Sequence, residues 1–186
     1  MASKLEIVNI ALARLGESPI QSLTEDSVPA RVVSLLFDSA RKSALRDYNW
    51  SFATRSASLA RMSALPEELF DFQYAYALPP DCLRALRLRS GGAFLIRYKY
   101  LYTDDASSVL EYIADIPDAE AFDAKFTEAF TYKLASELAM SIKGSPDLMA
   151  AMSNAYTALT QSAAAETARE SHDDLPDNPY VEARSC

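Results

Sequence analysis

The apolar positions at the start of the chain recur every three or four residues, which is the spacing of an amphipathic helix. The apolar stripe of the first predicted helix consists of Leu5, Val8, Leu12 and Leu15. Ser3 and Glu6 form a capping box at its beginning, and Gly16 supplies its stop. A second helix is predicted to begin near Ser27, with Pro29 in its first turn. Its predicted buried residues are Ala30, Val33, Phe37, Ala40 and Ala44, and its predicted solvent-facing residues are Arg31, Asp38, Arg41, Lys42 and Arg46.

After Trp50 the pattern changes to period-two and β-rich runs that proline and glycine separate. The predicted strands cover residues 72–78, 82–88, 94–102 and 109–113. The run at residues 94–102 is the clearest of them, and it puts Tyr98, Tyr100 and Tyr102 on one face of a single strand. The pattern therefore predicts a small antiparallel sheet inserted between helices.

Helical spacing returns in the last third of the chain. One apolar stripe consists of Phe122, Phe126, Phe130, Leu134, Leu138 and Ile142. Gly144 ends this helix, Ser145 caps the next one, and Pro146 takes its first position. The inner face of the last helix is predicted to hold Leu148, Met152, Ala155, Tyr156, Leu159 and Ala163. Because the connection between the two helices is short, we expect an antiparallel hairpin.

These elements predict a mainly α (α+β) fold. It is a bundle of about four antiparallel helices with an inserted small antiparallel β-sheet and an extended C-terminal arm. With 186 residues the chain suits one domain. That domain covers residues 1–172, with helices in residues 3–48 and 119–170 and a β-rich insertion at residues 52–113. Residues 173–186 are polar and interrupted by proline, which predicts the extended arm.

Composition is that of a water-soluble protein, with 49% hydrophobic and 24% charged residues. No stretch approaches the roughly 18 uninterrupted apolar residues of a membrane span. The first residues lack the long apolar run of a signal peptide, so we do not expect them to be one. Cys82 and Cys186 have no ligand-like spacing and are predicted to be reduced thiols.

The net charge of -8 argues against sequence-independent binding of nucleic acid, which needs clustered Lys and Arg. The charge is unevenly distributed. Residues 1–100 carry 13 basic and 10 acidic side chains, whereas residues 101–186 carry 5 basic and 16 acidic ones. Two interpretations remain open: a solvated acidic helical hairpin, or a head-to-tail interface between the acidic part of one subunit and the basic part of its neighbour.

The search for catalytic chemistry returns no candidate residue. His172 is the single histidine and lies in the polar tail, without a partner to orient it. The chain lacks a Walker loop, GxGxxG and GxSxG, and it has four glycines in all. Asp115 and Asp118 are predicted to serve the turn before a helix, and Asp104 and Asp105 a strand-end turn. We therefore predict no catalytic, cofactor-binding or metal-binding residues.

Aromatic residues mark the passage from helix to sheet. Trp50 and Phe52 are predicted to form a buried junction that fixes the inserted sheet to the bundle. The three tyrosines of residues 94–102 would also suit RNA stacking. The acidity of the chain and the lack of glycine-aromatic signatures favour packing against a helix or a neighbour instead.

Three stretches resemble the tail tubular protein A family, the head-to-tail adaptors of tailed, especially short-tailed, bacteriophages. The first is residues 9–20 (NIALARLGESPI), with Ser22 and Leu23 after it. The second is the helix at residues 30–40 that leads into residues 46–53 (RDYNWSFA). The third is residues 112–118 (YIADIPD), followed by Phe122, Phe126 and residues 134–139 (LASELA). The order and spacing of these stretches carry the resemblance, which spans most of residues 5–170.

The resemblance implies a structural, non-enzymatic subunit of the virion neck that assembles in the bacterial cytoplasm. It implies a ring of about twelve copies between the portal and the tail nozzle or next neck protein. Double-stranded DNA would pass through the ring without specific binding, and neither a cofactor nor a membrane is involved. A C-terminal arm that reaches the portal is also expected.

The arm contains a short run in which β-forming residues return. Tyr180 and Val181 could add to an exposed sheet edge of the portal, with Arg184 as a charged anchor. A tail without a role is the alternative for this segment. For the whole chain, a small non-ring assembly or regulatory binding protein is the second hypothesis. A tail-carried cell-wall hydrolase is the third, and it requires a catalytic Glu with a raised pKa.

Overall fold

The structure is a computed structural model that describes residues 2–63 and 72–170. Its four α-helices are α1 (Lys4–Arg14), α2 (Val28–Asp47), α3 (Ala124–Leu138) and α4 (Pro146–Glu170). Its six strands are β1 (Thr54–Ser58), β2 (Tyr74–Ala77), β3 (Cys82–Leu88), β4 (Phe94–Arg97), β5 (Tyr100–Thr103) and β6 (Val109–Ala114). Short 3-10 turns at Ser51–Ala53 and Ala119–Ala121 lead into and out of the β region. A mixed α+β fold is therefore confirmed.

Local side-chain caps explain where the helices begin. Ser3 Oγ accepts from the backbone N–H of Glu6 at 3.2 Å, and Ser27 Oγ accepts from that of Ala30 at 3.3 Å. Ser145 caps α4 in the same way. Each serine satisfies an amide that the first turn of a helix leaves unpaired. These three predicted starts are confirmed.

Gly144 ends the helix that contains α3, as predicted. It has a left-handed φ of 59°, a conformation that glycine adopts without a steric penalty. The preceding turn, Ala139–Lys143, is a π-helical continuation of α3. Ile142 lies in this turn and is only half-buried, whereas Phe126, Phe130, Leu134 and Leu138 are fully buried.

Asn9 fixes the loop that follows α1. Its side-chain amide donates to the carbonyl of Ile20 at 3.1 Å and accepts from the N–H of Ile20 at 2.9 Å. Ile20 is buried with the residues of α1. The loop from Gly16 to Ile20 is thus closed by one side chain that satisfies both backbone groups of the same residue.

The β region forms two sheets instead of the predicted one. The first has the strand order β1-β6-β3 and the second the order β2-β5-β4, and all pairs are antiparallel. An isolated bridge between Arg61 and Tyr76 extends the second sheet beside β2. The register between β3 and β6 shifts twice, between Cys82 and Arg84 and between Ala85 and Arg87.

Residues 94–102 were predicted to form one strand, and this prediction was wrong. They form the hairpin β4–β5, whose two-residue turn is Tyr98 and Lys99. Tyr102 is buried and Tyr98 is exposed, so the tyrosines do not share a face of one strand. A nine-residue run without Gly, Asn or Asp carries no turn signal, which is why the hairpin is not visible in the pattern.

The helices and the sheets share one apolar core. α3 contacts α1, α2 and α4, while α2 also contacts β3 and β6. Buried residues of both sheets, such as Leu101 and Leu110, belong to the same cluster as Phe37 and Phe130. Among the described helices, none is long and apolar enough to span a membrane.

Candidate functional site

Trp50 closes the C-terminal end of α2. The carbonyl of Ala44 is one of the last four of the helix, which lack a partner further along it. The indole Nε1 donates to this carbonyl at 2.9 Å. The ring is 3% exposed and meets Phe126 of α3 edge-on, with 5.1 Å between ring centroids. The predicted burial of Trp50 is therefore confirmed.

Phe52 continues this junction toward the first sheet. It lies in the 3-10 turn directly before β1, and its ring centroid is 5.1 Å from that of Phe126 and 6.0 Å from that of Phe122. Phe126 also stacks on Phe130, which meets Phe37 of α2 edge-on. The chain between α2 and β1 is thus held against α3 by a continuous set of aromatic contacts.

Arg41 is buried, and the prediction that it faces solvent was wrong. It is 2% exposed, and its guanidinium donates to the carboxylate of Asp115 and, at 2.7 Å, to the carbonyl of Ile116. Arg41 lies one helical turn after Phe37, so it belongs to the buried stripe of α2. This pair links α2 to the end of β6, and sequence reasoning missed it.

Asp115 serves this ion pair, and not the turn that the sequence predicts. Partial burial raises its pKa, but the hydrogen bond and charge of Arg41, together with Lys42, outweigh that effect and hold the pKa below its usual value. Lys42 Nζ lies 3.4 Å from the second carboxylate oxygen. Asp118 does serve the turn, because it accepts from the backbone N–H of Glu120 at 3.0 Å.

Two tyrosine hydroxyls connect α4 to the end of α2. Tyr156 donates to the carboxylate of Asp47 at 2.9 Å, and Tyr48 donates to the carbonyl of Ala163 at 3.2 Å. Burial, then the charge of Asp47 and its hydrogen bond, raise the pKa of Tyr156. The predicted inner face of the last helix is confirmed only in part. Tyr156 and Ala163 are buried, whereas its other predicted members are half-buried.

The turn between β4 and β5 presents an unusual side chain to solvent. Tyr98 is 96% exposed and has a φ of 55°. Positive φ at the first of two turn residues is a position that strongly favours glycine. Arg97 and Lys99 flank Tyr98, and both are exposed. The hairpin therefore projects an aromatic ring between two cationic residues, in a backbone conformation that a tyrosine adopts only at a cost.

A groove lies between α1 and the beginning of α3. Its volume is about 530 Å³, and its walls include Ile10, Phe122, Thr127, Glu128 and Thr131. Arg14 also lines it, with the guanidinium 3.4 Å from the ring centroid of Tyr132. We call this feature the α1–α3 groove. It combines an apolar wall with hydroxyl groups and an acidic side chain.

A second groove lies between the end of α3 and the beginning of α4. Its volume is about 610 Å³, and Leu36, Glu137, Met140 and Met149 are among the residues that line it. Met140 and Met149 are exposed. We call this feature the α3–α4 groove. Both grooves lie at the surface between helices.

The charges are not distributed as the sequence halves suggest. Residues 1–50 carry 6 basic and 6 acidic side chains, so the excess of +3 in the first half belongs to residues 51–100. Residues 101–123 carry 7 acidic and no basic side chains, whereas residues 124–164 carry 3 of each. The acidic excess therefore does not lie on the described side chains of the α3–α4 hairpin. Of the 11 excess negative charges in residues 101–186, 7 lie on residues 101–123, in the β5–β6 region and the turns before α3, and the other 4 lie on residues 165–186.

Besides that of Asp115, the pKa of Glu25 is lowered by hydrogen bonds from Ser27 and from the backbone of Gln21. A general acid requires the opposite displacement. Within residues 2–63 and 72–170, no three His, Cys, Asp or Glu side chains come together as a metal-binding group.

The predicted partner-binding residues Tyr180, Val181 and Arg184 lie outside the described residues, as do His172 and the whole of residues 173–186. A scan against protein-family models and a search of curated proteins each found no match for this chain.

Proposed function

We propose that the chain is a structural component of a tailed-bacteriophage neck, an adaptor that joins the portal to the tail. The observation that carries this proposal is the way in which the three family-like stretches contact one another. Arg41, on the helix of the second stretch, binds Asp115 in the third. Trp50 and Phe52 pack on Phe126, which follows the third stretch. These contacts give a physical reason for the order and spacing on which the resemblance rests.

The first stretch has a comparable internal role. Asn9 and Ile20 are its first and last residues, and two hydrogen bonds join them. The stretch is therefore a closed helix–loop unit, and Ile7, Val8 and Leu12 of its helix belong to the common core. A set of residues that fixes a fold, without a reactive group among them, suits a structural subunit.

We further propose that the four helices form an antiparallel bundle as the body of this subunit, with the sheets projecting from it. The central position of α3 supports this arrangement, because α3 contacts each of the other helices. The short connection at Gly144–Ser145–Pro146 also supports it, since such a connection favours an antiparallel pair.

In the proposed assembly, copies repeat head to tail in a closed ring of about twelve, the number that the family resemblance implies. Double-stranded DNA passes through the ring without specific binding. The net charge of -8 supports this, because a polyanion slides past an acidic or neutral wall and is held by clustered Lys and Arg. The ring belongs to the virion and is assembled in the bacterial cytoplasm, next to the portal and the tail nozzle or next neck protein.

We also propose that residues 173–186 hook the ring to the portal. Tyr180 and Val181 are β-forming residues suited to addition at an exposed strand, and Arg184 adds a charged contact. Residues 173–179, which precede them, are acidic and interrupted by proline, a composition suited to an extended connection and not to a core.

The size of the assembled protein tests the proposal. The full chain is examined by sedimentation velocity and by cryo-electron microscopy, alone and mixed with the portal protein encoded by the same genome. We expect a closed ring with one type of repeating contact and a central channel. Two-fold dimers only, both alone and with the portal protein, would overturn the proposal.

A further inference from the structure

We infer that the open edge of β4 pairs with β4 of a second copy, antiparallel and about a two-fold axis at Leu95. The occupant of this edge is therefore a second copy of the chain. A two-fold contact closes after two copies, so it cannot be the repeating contact of the proposed ring. The inference goes beyond the proposed function and concerns the free chain before it is assembled.

The backbone of β4 has one hydrogen-bonding side without a partner. β4 is an outer strand of the second sheet, whose order is β2-β5-β4. The two-residue turn is closed by a hydrogen-bonded pair at Arg97, and such pairs alternate along the hairpin, so Leu95 is also bonded to β5. The N–H and C=O groups of Phe94 and Ile96 therefore point away from β5. Within the described residues, no backbone group bonds to them on that side.

The side chains of β4 do not protect this edge. The strand reads FLIR, so it contains no proline and no charge before its last position. Phe94, Leu95 and Ile96 are only half-buried. Charged residues and proline commonly keep sheet edges from pairing, and an edge without them is a template for another strand. The edge of β4 is thus suited to receive one.

Antiparallel pairing about Leu95 satisfies this edge with itself. Phe94 of each copy lies opposite Ile96 of the other copy, and the two residues exchange both of their outward hydrogen bonds. Each such pair joins an aromatic to a β-branched side chain, which is a favourable cross-strand combination. Leu95 then lies opposite itself in a pair without hydrogen bonds, in which the two Cα atoms are about 4.5 Å apart.

The charges of the hairpin favour the antiparallel orientation. Residues 89–105, the hairpin with its flanking turns, contain five charged residues, which are Arg89, Arg97, Lys99, Asp104 and Asp105. Arg89 and the two aspartates lie at the end where β4 begins, which gives that end a net charge of -1. Arg97 and Lys99 give the other end a net charge of +2. Antiparallel pairing brings unlike ends together twice, whereas parallel pairing brings like ends together.

The outer strands of the first sheet do not offer the same complement. β1 and β3 contain three arginines and no acidic residue. The acidic residues beside them are already in ion pairs: Asp81 with Arg55, Glu111 with Arg87, and Asp115 with Arg41 and Lys42. Asp104 and Asp105 accept hydrogen bonds from uncharged groups and form no ion pair among the described residues. In the antiparallel register, Lys99 lies opposite Gly91, in the turn that Asp105 contacts through Ser90.

Disulfide trapping tests the register. In a background of Cys82→Ala and Cys186→Ser, Leu95→Cys should give a linked dimer on oxidation, because the two cysteines meet within disulfide reach at the axis. Ser56→Cys is the matched control, since Ser56 is exposed on the outer strand β1, and it should stay unlinked. Failure of Leu95→Cys to link, or equal linkage of both variants, would overturn the inference.

Sedimentation equilibrium measures the strength of the contact. Two four-residue strands bury less than the roughly 1,200–2,000 Å² of a standard interface, so the dimer is weak and is studied at high protein concentration. Ile96→Pro removes an outward N–H and retains the bonds to β5, and it should weaken the dimer by about 10-fold or more. Circular dichroism verifies that the variant is folded. An unchanged dissociation constant in the folded variant contradicts pairing through this edge.

A charge exchange gives a second measure that leaves the backbone of β4 intact. Lys99→Glu and Asp105→Lys should each weaken the dimer by about three- to five-fold. The double variant should recover most of the loss, because the two charges are exchanged. Glu120→Lys, at an exposed position outside the hairpin, is the control and should not rescue Lys99→Glu. Absence of rescue by Asp105→Lys, or equal rescue by Glu120→Lys, refutes the antiparallel register.

Deletion of residues 173–186 distinguishes a second copy from the C-terminal arm as the occupant. The dimer should persist in the shortened chain, and its loss would assign the edge to the arm and reject the inference. The proposed ring is judged separately. A ring that forms with the portal protein, without a Leu95→Cys dimer in the free chain, refutes the pairing alone. A Leu95→Cys dimer in a chain that never forms a ring refutes the proposed function alone.

Discussion

Replacement of Trp50 by alanine should be among the most destabilising single changes in the chain. The indole is buried against Phe126 and Tyr48, with ring centroids 5.1 and 5.0 Å away. Deletion of a large buried aromatic side chain costs about 3–5 kcal/mol, because the transfer energy is lost and a cavity remains. Domains of this kind have a free energy of unfolding of about 5–15 kcal/mol, so the loss is a large fraction of the total.

A second replacement divides this cost between packing and hydrogen bonding. Trp50→Phe keeps most of the aromatic contact with Phe126 but removes the Nε1 donor, which leaves the carbonyl of Ala44 without that partner. An unmade buried hydrogen bond costs about 1–3 kcal/mol. We therefore expect Trp50→Phe to destabilise the fold less than Trp50→Ala does. Both variants lose the Nε1 donor, so the difference between them measures the packing of the phenylalanine ring.

The assay is urea denaturation followed by circular dichroism, with thermal melting as a second measure. In a chain of this size, each kcal/mol shifts Tm by about 2–4 °C, so a loss of about 4 kcal/mol lowers Tm by roughly 8–16 °C. Trp50 is the single tryptophan, so its emission in the unmodified chain reports the opening of this junction directly. Leu35→Ala serves as the exposed control and should change stability by less than about 0.5 kcal/mol. A cost below about 1 kcal/mol for Trp50→Ala would refute the packing account of the junction.

Four further outcomes are expected. Asp115→Asn should destabilise the fold by about 3 kcal/mol at neutral pH, because it removes the main counter-charge of buried Arg41 and leaves only the carboxylate of Asp38, 3.5 Å from the guanidinium. Because the folded pKa of Asp115 is lowered, its contribution to the free energy of unfolding is present above the unfolded pKa of about 3.9 and is lost as pH falls through the folded pKa. Urea titrations between pH 7 and 2 should therefore show a smaller acid-dependent loss of stability in Asp115→Asn than in the unmodified chain. Tyr98→Gly should raise the free energy of unfolding by about 1 kcal/mol, measured in urea under conditions where the chain is monomeric, because the positive φ no longer carries a side chain. Deletion of residues 173–186 should leave Tm unchanged and abolish capture by purified portal protein, and normal capture would reject the hook. Fluorescence anisotropy with labelled duplex DNA should detect no tight, salt-dependent binding, whereas affinity that falls steeply with added salt would contradict a passive channel.

The helices could be predicted because their signals are local. Ser3, Ser27 and Ser145 each accept a hydrogen bond from an amide three residues later, and that relation is readable from the sequence alone. The spacing of four between Phe126 and Phe130 fixes a helix face in the same way. The burial of Trp50 is also predictable, since a large aromatic side chain between two elements has few other places to go.

The ion pair of Arg41 and Asp115 could not be predicted from such signals. The partners are 74 residues apart, and only the folded chain brings the end of β6 against α2. Arg41 does follow Phe37 by four residues, so a strict count of helical positions puts it in the buried stripe. Arginine is usually exposed, and this general rule favours a solvent-facing position. The rule fails where a carboxylate and a carbonyl are available to pair with the guanidinium.

The hairpin of β4 and β5 could not be predicted, for a different physical reason. Residues 94–102 have strong β-forming character throughout, and a turn through Tyr98 and Lys99 opposes the local preference of tyrosine for negative φ. Most positions in a natural protein agree with their local preferences, and disagreements concentrate where binding or catalysis requires them. Glycine at position 98 would relieve the strain of the positive φ but would supply no side chain at the tip of the hairpin.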